Sequence, residues 1–178
     1  VLLELKQLDK TGLHDFLKKV LDVLANTLNI ERVSIWFYNE DKTSIFCDYL
    51  YLRTYGRYIN DQSIRIESYP EYFKAIEALP CIAVKDAVND PLTKELAEDY
   101  LNPRGIYSMM DIPIVFDGET IGIICHEELD KYRDWKTQEI ELASAISALV
   151  STSFEIDLRK KKEKDFNESQ RFLSTLIS

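Results

Sequence analysis

The sequence has no apolar run near the roughly 20 residues that a membrane-crossing helix needs, which excludes such a span within it. Its opening, Val1-Leu2-Leu3-Glu4-Leu5-Lys6, is too short and too charged for a signal peptide. The missing initiator Met leads us to expect a segment cut from a longer polypeptide. Cysteine is scarce: Cys47, Cys81 and Cys125 are an odd set without CxxC spacing, which argues against a disulfide framework or a zinc knuckle. Buried free thiols in a reducing cytoplasm are expected instead. With 2 His and 5 Gly, no Ser-His-Asp spacing and no phosphate-cradling glycine loop stands out, so no catalysis and no metal are expected. Basic residues are outnumbered 22 to 31, and the net charge of −9 argues against nucleic acid, whose phosphates demand a basic face. The one basic run, Arg159 to Lys162, is mixed with Glu163 and Asp165 and reads as a solvated helix face.

What is present is an ordinary globular balance: 178 residues, 46% hydrophobic and 30% charged, enough for one domain with helical extensions. Leu13, Phe16, Leu17, Val20, Leu21, Leu24 and Leu28 recur at three- and four-residue steps and predict an amphipathic helix. Val1, Leu5 and Leu8 form a shorter stripe before it. Arg32 to Tyr38 and Ser44 to Leu52 read as strands joined by a polar turn, with both faces partly apolar. Ile64 to Ile66 reads as a short strand. Ser68 and Glu71 match a capping box, with Pro70 in the first turn of a helix that Pro80 ends. Cys81 to Val84 reads as a strand. Asp90-Pro91 predicts a helix running to about Leu101. Ile106 to Val115 and Thr120 to Glu127 read as strands joined by an Asp117-Gly118 hairpin turn. Trp135 opens a long helical segment reaching about Ile177. The expected fold is α+β: about six strands, mostly antiparallel, with helices on both faces and long terminal helices.

Four segments, in this order, resemble GAF domains: Glu31 to Trp36 after a helix ending at Ile30; Asp86-Ala87-Val88-Asn89-Asp90-Pro91; Gly105 to Ile114; and Ile121 to Glu128 with Trp135. The last two are similar to GAF domains that precede histidine kinases and diguanylate cyclases in bacteria. The resemblance sets the expected organisation: residues 1–11 an incoming helical linker, 12–157 the domain, and 158–178 an outgoing linker. Asn167 to Leu173 resembles the lead into a PAS domain. Where relatives carry Thr-Pro-Glu-Glu after the Trp, this chain has Lys136-Thr137-Gln138-Glu139, which suggests Asp134 as the cap.

The resemblance also implies a ligand site on one sheet face, drawn from Ser34, Trp36, Tyr49, Tyr69, Phe73, Asp86, Tyr107, Met109, Asp111 and His126. Strand alternation groups Ser34 with Trp36 and Tyr38, Tyr107 with Met109 and Asp111, and Gly122 with Ile124 and His126. A hydrogen-bonded Asp111–His126 pair is expected across the sheet. Cys125-His126 is similar to the dipeptide that attaches bilins, but here it lies in the last strand, so covalent bilin is not expected. Haem on His126 rests on one lone histidine. Adjacent strand residues point to opposite faces, so Cys125 to Glu128 cannot converge on a metal. A further resemblance, to GAF-fold reductases of free methionine sulfoxide, lacks low-pKa surroundings for the cysteines.

The final helix shows two stripes: Leu142, Ile146, Leu149, Ser153 and Ile156, and about 100° round, Ala143, Ser147, Val150 and Phe154. The first would pack on the sheet. The second is expected to pair with a second copy in a parallel homodimer. Together these features predict a cytoplasmic, non-catalytic sensory module. It would bind an unidentified small molecule and relay the signal through its terminal helices to an output domain, without contacting membrane or nucleic acid. A ligand-free dimerising spacer is the alternative, with aromatic filling near Trp36 as its signature.

Overall fold

The computed structural model describes residues 12–60 and 62–177. Helix α1, Leu13–Leu28, follows Gly12 at φ 109° and ends at Asn29, whose φ of 54° turns the chain out of the helix. It buries Phe16, Leu17, Val20, Leu21, Leu24, Ala25 and Leu28, the stripe read from the sequence. Burial of each large side chain contributes roughly 1.5–3 kcal/mol before entropic losses. The Val1, Leu5 and Leu8 stripe lies outside the described residues.

Seven strands follow: β1 Arg32–Tyr38, β2 Ser44–Leu52, β3 Arg57–Ile59, β4 Gln62–Arg65, β5 Ile82–Val84, β6 Ile106–Phe116 and β7 Glu119–Leu129. They form one sheet in the order β3-β2-β1-β7-β6-β5, with β4 also paired to β2. Every pairing among the described residues is antiparallel. β3 was not foreseen, and β4 starts two residues before the expected Ile64. Asp117 and Gly118, at φ 51° and 77°, make the tight hairpin between β6 and β7. Gly122 is obligatory for packing: a Cβ there would stand 2.3 Å from the Trp36 carbonyl oxygen.

Two bulges matter for the site. Ile35 pairs with Tyr49 and Trp36 with Cys47, leaving Asp48 as an extra residue in β2. Ile106 pairs with Leu129 and Ser108 with Glu128, leaving Tyr107 extra in β6. Such insertions shift the side-chain alternation of the residues beyond them.

One sheet face is covered by α1 and by α3, Thr137–Ile177. The other is covered by α2, Pro70–Ala78, and by the segment from Asp90 to Gly105. The expected capping box at Ser68 does not form. Tyr69 sits at the cap, and the Glu95 carboxylate accepts from the N–H groups of Glu71 and Tyr72 at 3.0 and 3.1 Å. The expected helix to Leu101 is also broken up. A 3₁₀ turn (Lys94–Leu96), a π turn (Ala97–Leu101) and a helical turn (Asn102–Arg104) replace it. Tertiary anchors override local propensity here: Thr93 Oγ1 donates to the Ala87 carbonyl at 2.6 Å, and Leu101 is fully buried.

Helix α3 starts two residues after Trp135. Trp135 donates from Nε1 to the Val84 carbonyl at 3.1 Å, and Glu139 Oε2 accepts from the Lys136 N–H at 2.9 Å. Asp134 pairs with Lys85 at 2.9 Å instead of capping the helix. Arg133 ties the helix start to the rest, donating to Glu139 at 2.6 Å, Glu128 at 2.8 Å and the Leu28 carbonyl at 2.6 Å.

The stripe expected to face a second copy is buried within the monomer. Ala143, Ser147 and Val150 are buried, and Phe154 packs against Phe37 and Phe116, with ring centroids 5.9 and 6.0 Å away. Of the other stripe, Ile146 and Ser153 are buried as expected, while Leu142, Leu149 and Ile156 are half-buried. The sheet lies closest to the flank that carries Ser147, whose Oγ donates to the Pro113 carbonyl at 2.8 Å, and Ser151, which donates to the Val115 carbonyl. Residues 159–175 of α3 are exposed along their whole length.

Candidate functional site

The face beneath α2 and residues 90–105 is built from alternate residues of three central strands. Directly opposed residues of an antiparallel pair share a face. Ser34 of β1 opposes Cys125 of β7, which in turn opposes Asp111 of β6. Arg32 and Glu127 oppose each other two residues further along. The face is therefore polar at its centre although it is closed from water.

Two phenols bridge the covering segments to two buried carboxylates. Tyr72 of α2 donates to Asp111 Oδ2 at 2.6 Å. Tyr100 of the π turn donates to Glu127 Oε1 at 2.6 Å, while Arg32 Nε donates to Glu127 Oε2 at 2.7 Å. Trp36, buried at 1% exposure, donates from Nε1 to Ser34 Oγ at 2.8 Å and meets the Tyr100 ring edge-on at 6.3 Å. Asp111 Oδ1 and Arg32 Nη2 are buried without hydrogen-bond partners.

Burial raises the Asp111 pKa to about 7; the Tyr72 hydroxyl pulls it down, the Glu127 charge adds to the rise, and the Cys125 thiol lowers it again. Burial alone would lower the Arg32 pKa, but the adjacent Glu127 outweighs it and keeps the guanidinium charged. The thiols are poor nucleophiles. Burial raises Cys47 to about 12 and Cys81 to about 11, and lifts Cys125 well above the ordinary thiol range. Among the described residues, no group of three or more His, Cys, Asp or Glu is placed to hold a metal.

Of the residues expected at the site, Ser34, Trp36, Met109 and Asp111 lie together on this face, with Phe73 of α2 against them and Tyr69 at the margin. His126 does not join them. It opposes Val33 and Met110, so it belongs to the α1–α3 face, and its Nδ1 lies 2.8 Å from the Met110 carbonyl oxygen. Burial lowers its pKa to about 4, partly offset by that carbonyl. The expected Asp111–His126 pair is thus replaced by Asp111 opposite Cys125. Tyr49 is likewise on the α1 side, displaced by the bulge at Asp48, with its hydroxyl against His14 Nδ1. Asp86 and Tyr107 line a separate cleft of about 370 Å³ with Asn89, Asn102 and Tyr132. There Asn89 donates to Asp86 at 3.0 Å and Tyr107 meets Tyr132 at 5.2 Å.

Arg32, Tyr72, Tyr100, Cys125 and Glu127 were not among the expected site residues. Their signal was present: Arg32 and Glu127 are ionisable residues inside otherwise apolar strands, and they share parity with Ser34 and Cys125. What was missing was the register of β7 against β6, since alternation within one strand does not fix its phase against the next.

The sequence profile of the GAF domain matches residues 12–154. The blue-light absorbing form of the Thermosynechococcus elongatus PixJ GAF domain superposes with a TM-score of 0.72 at 15% identity, covering 92% of this chain and 96% of that one. The GAF domain of a phosphoenolpyruvate-protein phosphotransferase from Coxiella burnetii gives 0.71 at 17% identity, covering 90% and 94%. Residues 122 to 287 of a methyl-accepting chemotaxis protein give 0.70 at 16% identity, covering 86% and 95%. No curated protein matches the chain. At these identities the structural likeness carries the fold, and the profile match carries the family: the chain belongs to the GAF domain family.

Proposed function

We propose that this domain is a regulatory, non-catalytic sensor within a bacterial signalling protein. A small molecule binds at the Asp111 face, and α3 carries its effect to an output domain such as a histidine kinase or diguanylate cyclase. The observation that supports this reading is the pair of phenol-to-carboxylate bonds. They hold two covering segments, α2 and the π turn, onto strands whose opposite face carries the outgoing helix. A ligand that releases either bond perturbs β6 or β7. β6 bonds α3 directly through Ser147 and Ser151. Such a route meets the requirement that a ligand bias an element with two arrangements.

The chain works as a parallel homodimer in this reading. Its contacts are Leu149 and Ile156, then Phe166 and Leu173 beyond the domain, at 63% and 52% exposure. No helix among the described residues is long and apolar enough to cross a membrane, which accords with a module working in the cytoplasm. The raised thiol pKa values weigh against the sulfoxide reductase alternative.

One observation favours the spacer reading: Trp36, Tyr72, Phe73 and Tyr100 fill the face on which a ligand would sit. Native mass spectrometry of the protein purified from its host separates the two. The sensor reading expects a dimer with a bound small molecule, or one that gains such mass on exposure to metabolites. A ligand-free dimer under all conditions supports the spacer.

A further inference from the structure

We infer that the ligand accepted at the Asp111 face is a small planar molecule with a protonated nitrogen, an amine or amidine, which docks its N–H groups on Asp111 and displaces the Tyr72 hydroxyl. The inference rests on the sensor reading above and adds the chemical class.

The first argument is charge. The closed face holds two carboxylates, Asp111 and Glu127, and one guanidinium, Arg32, which bonds Glu127. Asp111 is the surplus anion. A second anion brought here would meet uncompensated repulsion, whereas a cation completes the balance. The second argument is hydrogen bonding. Asp111 is fully buried, its Oδ2 accepts from Tyr72, and its Oδ1 has no N–H or O–H donor, the weakly donating Cys125 thiol being the one other group beside the carboxylate. An ionised carboxylate is acceptor-only, so the unfilled position asks for N–H or O–H. An amidine supplies two parallel donors and would satisfy both oxygens at once. The third is shape. Tyr72, which bonds Asp111, stacks edge-on with Phe73 in the same buried cluster as Trp36, and these rings offer flat apolar surfaces to a planar body that displaces the Tyr72 hydroxyl.

Tyr72 is thereby a competitor as well as a lid. Its hydroxyl holds α2 against β6 when no ligand is present, and a ligand that takes its place at Asp111 releases that end of α2. The groups facing Asp111 are Tyr72 from α2, Cys125 and Glu127 from β7, and Cys81 just before β5. None of these carries positive charge, so nothing pre-empts an incoming cation.

Benzamidine, with benzamide and benzoate as its neutral and anionic counterparts, tests the class. Each is titrated into the full chain by calorimetry, and by tryptophan fluorescence in a Trp135→Phe background that leaves Trp36 as the reporter. Benzamidine should bind saturably, with the other two weaker by at least about tenfold. Asp111→Asn should cost benzamidine at least about tenfold, and Tyr72→Phe, which removes the competing hydroxyl but keeps the ring, should tighten it by about as much. Binding needs ionised Asp111, so affinity should rise about tenfold from pH 6 to pH 8. Equal binding of benzoate, or full affinity in Asp111→Asn, overturns the cation class while leaving the face a ligand site. Silence of all three probes in both the parent chain and Tyr72→Phe overturns the inference, and the sensor reading is then judged by the mass spectrometry alone.

Discussion

The two faces of the sheet solve the same packing problem with different chemistry. The α1–α3 face is closed by aliphatic side chains: Val20, Leu21, Leu24, Val33, Ile35, Ile112, Ile114, Ile124 and Ile146 are all buried there. The α2 face combines aliphatic side chains with the rings of Trp36, Tyr72, Phe73 and Tyr100, and is fastened by hydrogen bonds to ionisable groups. Apolar packing is non-directional and tolerant of small shifts. A buried carboxylate with one or two donors has far fewer acceptable arrangements, and it loses several kcal/mol when a partner leaves. The difference sets the two covers apart: the α1–α3 face holds the outgoing helix to the sheet by packing, and the polar face holds its covering segments by directional bonds that the proposed ligand would have to replace.

The largest effect should come from breaking the pair that fastens the polar face. Arg32→Met leaves the fully buried Glu127 carboxylate with Tyr100 as its remaining side-chain donor, and should cost about 3–5 kcal/mol in urea unfolding. Arg32→Met combined with Glu127→Leu should recover most of that loss, because the unpaired charge is gone. A single substitution costing under about 1 kcal/mol would show that the two faces do not differ in the way described.

A smaller effect distinguishes the faces by pH. Asp111 has its folded pKa raised from 3.8 to about 7, so the folded state prefers the protonated acid, and this group's contribution is lost as pH rises through that window. His126 on the other face has its folded pKa lowered from 6.5 to about 4, so its contribution is lost as pH falls through that window. The two titrations oppose each other, and each is worth roughly 3–4 kcal/mol. Asp111→Asn should therefore remove the decline between about pH 4 and 7 and leave only the gain contributed by His126 as pH rises. Chemical denaturation at several pH values measures this. An unchanged pH profile in Asp111→Asn would mean that the carboxylate titrates as an ordinary surface acid.

The smallest effect on folding is expected beyond the domain, in the exposed length of α3. Phe166→Ser with Leu173→Ser should change unfolding free energy by less than about 0.5 kcal/mol, since neither side chain packs on the sheet. The same pair should shift light scattering from dimer to monomer. Val150→Glu should instead unfold the domain, because Val150 is fully buried in the aliphatic core.

Much of this architecture was legible in the residues. The stripe from Leu13 to Leu28, the alternation in Arg32 to Tyr38 and the Asp117-Gly118 turn each encode their own local geometry, because helix and strand periods and positive-φ turns are properties of short segments. The shared face of Ser34, Trp36, Met109 and Asp111 was also readable, from strand parity joined to the family resemblance. The misplacements have specific causes. Tyr49 and Tyr107 stand beside single-residue bulges at Asp48 and Tyr107 itself, which no propensity announces. The capping of α2 by Glu95 comes from a residue 24 positions away.

By itself, the sequence determined the class of fold, the family and the identity of the apolar stripes, since these depend on periodicity and on the order of segments along one chain. Only the tertiary structure decided which ionisable groups share a face, that His126 lies behind the sheet from Asp111, and that Val150 and Phe154 turn inward. The reason is that a strand's own alternation has two phases, and a helix with two apolar stripes has two ways to sit. The choice between them is made by register against neighbouring strands and by what the sheet leaves uncovered, which are long-range quantities.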